Sequence, residues 1–176
     1  MAIIQTISPE KAEGETKKIY DMMLQNVGVV PSPLQMASAS PGILNFYWES
    51  IKYYSQHPTL GFALLSTIRF LVAKHLNYAF CTDFNKNILK KQGLSDEDID
   101  EMIKDSHKAP LEEKEQTMLG FVMKAIKSPD AVEQQDMDQL HDLGWMDRDI
   151  LDALVHGTNM VGSSILMKAF KMDVVC

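Results

Sequence analysis

Apolar residues recur at intervals of three and four along most of the chain, and strict alternation with polar residues is rare. Val and Ile do not gather into short runs bounded by turns, so the pattern predicts helices and no sheet. Ile19, Met22, Met23 and Val27 mark a first helix over Glu13–Val27, with Gly28 as its stop. The next stretch, "GVVPSPLQMASASPG", holds three prolines among small residues and reads as a loop with a short helical turn at most. Ser40-Pro41 then offers a capping hydroxyl and a proline at the first helical position. The helix it opens carries Ile43, Tyr47, Ile51 and Tyr54 on one stripe, with Leu44 and Trp48 beside it, and ends near His57-Pro58.

The segment "TLGFALLSTIRFLVAKHLN" is apolar nearly all round, which predicts a central buried helix. Asn77 is placed to cap a helix over Tyr78–Gln92, closed by Gly93. Ser95 caps the following one, where Asp96, Glu97 and Asp98 suit the positive end of the helix dipole. Further helices are expected over Leu111–Lys127, Ala131–Leu143 and Asp147–Phe170. Gly157, Gly162, Ser163 and Ser164 in the last of these would let another backbone come close. A short echo joins two turns: Gly93-Leu94-Ser95-Asp96-Glu97-Asp98-Ile99 matches Gly144-Trp145-Met146-Asp147-Arg148-Asp149-Ile150 at four of seven positions. It fits either a duplicated helical unit or the same turn chemistry used twice.

Length and composition keep this picture within one all-helical domain over 1–176, with N-terminal helices in 9–57, a core region in 59–104 and C-terminal helices in 110–171. A net charge of −7 argues against nucleic acid or anionic membranes as partners, since phosphate binding needs clustered Lys and Arg. The longest apolar stretch, Leu60–Ala73, is broken by Ser66, Thr67 and Arg69 and is too short to span a bilayer. Two cysteines, Cys81 and Cys176, make no disulfide framework and suit a reducing cytoplasm. Twelve methionines spread along the chain read as fillers of irregular helical cores.

Candidate chemistry narrows quickly. There is no GxGxxG, no GxxxxGK[ST], no GxSxG, no CxxC and no HExxH, so no phosphate cradle or zinc site is expected and no cofactor is called for. His57, His75, His107, His141 and His156 have no partner histidine at helical spacing, and each reads as a surface or satisfied core residue. What remains is "NYAFCTDFNK". Tyr78, Cys81, Asn85 and Ile88 share one helical face, and a thiol in the first turns of a helix feels the positive dipole end, which favours the thiolate. A core role for a cysteine flanked by aromatics is the plain alternative.

The stretch "LLSTIRFLVAKHLNYAFCTDFNKNILKKQGLSDEDI" resembles the core of the alkylhydroperoxidase D and carboxymuconolactone decarboxylase family. That pattern is a helix with a glutamate, then C-x-x-C-x-x-x-H opening the next helix, then a Gly-Leu-Ser/Thr-acid turn. Looser likeness to the peroxidase-related branch runs through "GETKKIYDMMLQNVGVVPSPLQMASASPGIL" and "FVMKAIKSPDAVEQQDMDQLHDLGWMDRDILDALVHGTNMVGSSI". The resemblance implies a multi-helix orthogonal bundle, a thiol-dependent peroxidase-like (alkylhydroperoxidase or peroxiredoxin, antioxidant) activity on a small-molecule substrate, and assembly into dimers, trimers or hexamers.

It also implies site roles, most of them vacated here. Cys81 matches the peroxide-attacking cysteine, Tyr78 the resolving cysteine, Asn85 the histidine and Ser66 the glutamate of the proton relay. A two-cysteine cycle through CxxC is therefore impossible, and any activity is a one-cysteine one. An external thiol or Cys176 would have to resolve the oxidised sulfur, and His75 is a candidate substitute base. Two other outcomes stay open: a non-redox organic-ligand or decarboxylase-like site around Tyr78, Asn85 and Ser66, and a helical oligomer without catalysis.

Overall fold

A computed structural model describes residues 2–173. Among them there is no strand. Nine α-helices follow one another: α1 (Gly14–Val27), α2 (Ser32–Ala37), α3 (Pro41–Ser55), α4 (Phe62–His75), α5 (Ala79–Lys91), α6 (Asp96–Lys104), α7 (Glu113–Lys127), α8 (Gln134–Asp142) and α9 (Asp147–Ala169). The all-α fold is the one the periodicity predicts. The described residues divide into two compact units, one of residues 2–57 with 165–173 and the other of residues 58–164.

In the first unit, Gly28 stops α1 as expected. Its φ of 81° is left-handed, and its N–H returns to Leu24 O at 3.0 Å. Ile19, Tyr20 and Met23 of α1 join Leu34, Ala37 and Leu44 in a buried cluster. The proline-rich stretch does more than turn once: α2 runs for 6 residues from a Pro31 cap. A helix that short does not stand alone in water, and the burial of Leu34, Met36 and Ala37 sustains it. The face of α3 is rotated by one position from the expected stripe. Leu44 is the buried anchor, with Tyr47 and Trp48 packed beside it, while Ile43 and Ile51 are exposed. Ser40 makes no side-chain cap, so the fixed φ of Pro41 starts this helix unaided.

In the second unit, α4 is the buried centre, and both α5 and α7 pack on it. Asn77 does not cap α5. It takes the left-handed conformation (φ 50°) and closes α4, with its own N–H on Lys74 O at 3.2 Å and the Tyr78 N–H on Ala73 O at 2.9 Å. That is the Schellman arrangement, and it makes Tyr78 the cap residue of α5. Of the small residues in α9, Gly157 is the close-approach point: a Cβ there would stand 2.8 Å from Val122 Cγ1 and 3.6 Å from Ile68 Cγ2. Gly162 faces open space, so the packing role expected of it is not needed. Met102 and Met118 are fully buried, as core fillers should be.

The two echoing turns share their geometry. Leu94 N–H reaches Leu89 O at 3.2 Å past a left-handed Gly93, and Trp145 N–H reaches Leu140 O at 3.1 Å past a left-handed Gly144. In each, a carboxylate three residues into the next helix accepts from the cap residue's N–H: Asp98 from Ser95 at 2.8 Å, Asp149 from Met146 at 3.1 Å. Ile99 and Ile150 are both buried behind the turn. The two turns therefore repeat the same chemistry, which fits both readings of the echo.

Candidate functional site

Cys81 lies in the first turn of α5, the third helical residue after the Tyr78 cap. Backbone N–H groups at this end of a helix lack intrahelical partners and carry the positive end of the dipole. The sulfur sits in a buried residue, 7% exposed, and is a thiol without a disulfide. One turn on, Asn85 is fully enclosed, and its Nδ2 donates to Cys81 O at 2.8 Å. Asn85 therefore braces the turn that carries the cysteine and has no acid–base role there.

The other end of Asn85 leads to a residue that the motif does not include. Arg69, midway along the otherwise apolar α4, donates from Nε to Asn85 Oδ1 at 2.8 Å. Its Nη1 lies 3.2 Å from Nε2 of His156 on α9. A guanidinium has no acceptor, so Arg69 donates and His156 Nε2 accepts, which puts the imidazole proton on Nδ1 and leaves His156 neutral in this pairing. Arg69 also lies over the Phe62 ring, 5.8 Å from its centroid. Burial pulls the Arg69 guanidinium down to about 10, and the charge of a Cys81 thiolate acts in the opposite direction. At neutral pH Arg69 is still a cation, and Asn85 links it to the backbone carbonyl of Cys81.

The remaining motif positions are internally hydrogen-bonded. Tyr78 is fully buried, with its hydroxyl 3.2 Å from Ser163 Oγ on α9. Ser66 Oγ donates back to Phe62 O at 2.7 Å and accepts from Gln92 Nε2 at 3.0 Å. Ser66 and Gln92 thus form a neutral hydrogen-bonded contact. His75 is exposed at the end of α4 and lines a cavity whose other walls come from α6, α7 and the turn between them. Cys81 is not among that cavity's lining residues. Cys176 falls outside the described residues. Among those residues no group of His, Cys, Asp and Glu could hold a metal ion, and no helix is long and apolar enough to cross a membrane.

Arg69 and His156 are the two partners that sequence reasoning did not assign. The available signal was a lone arginine in the middle of a helix apolar on all sides, where a charge stays only with partners. His156 is buried and satisfied, as a core histidine should be, but its partner lies on another helix, 87 positions away.

Two solved structures share this arrangement of helices. One, described as an uncharacterized peroxidase-related protein from a Silicibacter species, superposes with a TM-score of 0.77 at 20% identity, covering 98% of this chain and 94% of that one. The other, described as an alkylhydroperoxidase AhpD core and an uncharacterized peroxidase-related protein from Ralstonia eutropha, gives 0.82 at 15% identity, covering 97% and 90%. No family model and no curated protein sequence matches the chain. The fold is that of the alkylhydroperoxidase D core, the fold to which the Leu64–Ile99 stretch pointed.

Proposed function

We propose that the protein is a one-cysteine, peroxide-reducing thiol protein in which Arg69 replaces the charged partners absent from the motif. The observation that supports this reading is the Arg69 cation, held between Asn85 and His156, with Asn85 in turn bonded to the carbonyl of Cys81 in the first turn of α5. A cation and a helix N-terminus both favour a thiolate, the nucleophilic form. The thiolate attacks one oxygen of the hydroperoxide, an S–O bond forms and the O–O bond breaks. The departing alkoxide takes up the proton that the thiol released. Sulfur is oxidised by two electrons to the sulfenic acid, and the peroxide is reduced to an alcohol. With Tyr78 at the resolving position, an external thiol condenses with the sulfenic acid, losing water. A second external thiol then releases Cys81 as a thiol and leaves with the first as a disulfide.

A cytoplasmic thiol pool would supply those reductants, and the protein would act there as an antioxidant on hydrogen peroxide or an organic hydroperoxide. The leaving alkoxide has Arg69 as its counter-charge, a role that Asn85 cannot fill. The test is brief exposure to peroxide, a sulfenate-trapping diketone and mass spectrometry of the Cys81 peptide. Wild type should carry the label, Cys81→Ser should not, and Arg69→Met should label about tenfold more slowly, in line with a smaller thiolate fraction. Absence of label, with peroxide consumption equal in wild type and Cys81→Ser, would remove this reading.

A second reading, a helical oligomer without catalysis, is favoured by the burial of Cys81 and by Leu151 and Val155, which stand exposed one turn apart on α9. Apolar side chains at that spacing suit a second copy of the chain. The same labelling experiment separates the two readings, and light scattering on the purified chain gives the subunit number. The organic-ligand reading loses support, because Tyr78, Asn85 and Ser66 each make hydrogen bonds inside the protein.

A further inference from the structure

At the ends of α4, α6 and α7 lies a cavity of about 170 Å³ that shares no lining residue with the Cys81 cluster. Its floor is apolar, made by Leu71, Met102 and Met123, all three buried. Its rim is cationic: Lys74, Lys104 and Lys127, with His75 beside them, and no Asp or Glu lines it. This stands out on a chain with 24 acidic residues against 17 Lys and Arg, where most surface lysines are engaged. Lys17, Lys52, Lys90 and Lys124, for example, each meet a carboxylate within 3 Å.

Lys74 and Lys127 meet none among the described residues, and Lys104 has only a 3.5 Å approach to Glu101, a carboxylate that Lys108 also engages. Three helix C-termini converge here, each bringing about half a negative charge. Three ammonium groups outweigh them, so the mouth remains positive.

We infer that this cavity binds a small aromatic monocarboxylate, its ring on the apolar floor and its carboxylate among Lys74, Lys104 and Lys127. The volume sets the size, since a cavity of about 150 Å³ takes one benzene ring. The floor sets the preference for an aromatic body, because thioether sulfur at a ring edge is a favourable contact and Met102 and Met123 supply two. The rim sets the sign and places the charge where water still reaches it. The inference is independent of any peroxide chemistry at Cys81.

Benzoate is the probe. The full chain, labelled with carbon-13 at the methionine methyls, is titrated by NMR, with the Met102 and Met123 signals assigned by Met→Leu variants. Both methyls should shift with a dissociation constant of about 1 mM, the strength expected of so small a ligand at a partly open site. Acetate and benzyl alcohol, which lack the ring and the charge respectively, should bind at least fivefold more weakly. So should inorganic phosphate, which leaves the floor wet. The Lys74→Gln/Lys127→Gln variant should weaken benzoate about tenfold, as expected for two exposed charge contacts, while the buried Met118 methyl reports an unchanged fold. The inference is overturned if neither methyl moves at tenfold higher benzoate, if benzyl alcohol or phosphate matches benzoate, or if the lysine variant binds as wild type does.

Discussion

Replacing Arg69 with methionine separates the electrostatic from the structural worth of that residue. Met has nearly the length of the arginine stem and no charge, so the space is filled and the guanidinium is lost. Two opposing effects on stability can be sized. Asn85 Oδ1, in an enclosed residue, loses its 2.8 Å donor, and an orphaned buried acceptor costs about 1–3 kcal/mol, while His156 Nε2 loses a longer, 3.2 Å donor at the low end of that range, about 1 kcal/mol. The cation over Phe62 is also lost, about 0.5–1 kcal/mol. Against this, burial that pulls the guanidinium down to about 10 corresponds to about 3 kcal/mol by which folding disfavours the charged form, and Met removes that penalty. The terms nearly cancel.

Arg69→Met should therefore change stability by no more than about 2 kcal/mol, while Cys81 reacts with a small alkylating probe about tenfold more slowly at neutral pH. Urea unfolding followed by circular dichroism reads the first quantity, and timed alkylation with mass spectrometry reads the second. Asn85→Leu completes the cycle. The double variant should be more stable than the two single effects added together by at least about 1 kcal/mol, because each single change leaves one buried partner unmatched. A loss above about 4 kcal/mol in Arg69→Met would show that Arg69 is a structural brace whose burial is fully compensated. An unchanged alkylation rate would show that its charge does not reach the sulfur. Either result refutes the reasoning.

Gly157→Ala should destabilise by about 1–2 kcal/mol, because its Cβ meets the stiff, buried Val122 methyl at 2.8 Å and this overpacking exceeds the gain in helix propensity. Gly162→Ala, in open space on the same helix, should stabilise by about 0.5–1 kcal/mol, and thermal unfolding of the pair tests both signs. Tyr78→Phe should cost about 1 kcal/mol by orphaning Ser163 Oγ and should leave the Cys81 alkylation rate unchanged, as a purely structural hydroxyl requires. Burial pushes the Asp149 carboxyl up, but hydrogen bonds from Thr59, the Met146 N–H and Arg148 outweigh it and hold it below the usual range. Its folded-state value is thus the depressed one: the stabilisation is present above the ordinary value near pH 4 and is lost as pH falls below it. Asp149→Asn should flatten that part of the acid limb in a urea series run from pH 6 to about pH 2.

Helix positions were legible because caps and glycines act locally. Ser95 with Asp98, and Gly28, Gly93 and Gly144 behave as their chemistry dictates whatever surrounds them. Faces were less legible. Aromatic and β-branched residues surround Leu44, and only tertiary packing decides that Leu44 turns inward and Ile43 outward. Asn77 shows the same limit at a single residue. It is equally suited to open a helix by its side chain or to close one in the left-handed conformation, and the chain reversal between α4 and α5 selects the second.

The site was legible only along one helix. Spacing brings Tyr78, Cys81 and Asn85 to one face, but Arg69 and His156 join Asn85 only when α4, α5 and α9 pack together. The substitutions in the motif are coherent once that packing is known. Ser66 and Gln92 meet as a neutral hydrogen-bonded pair, which an apolar core tolerates at low cost. Asn85 offers an acceptor to Arg69 and a donor to Cys81 O at the same time and, unlike an imidazole, cannot lose that acceptor by taking up a proton. A histidine at position 85 would have to keep one neutral tautomer to accept from Arg69, and once protonated would place a second cation against it. The asparagine at position 85 and the arginine at position 69 therefore belong together: the first gives the second a buried acceptor that carries no charge of its own.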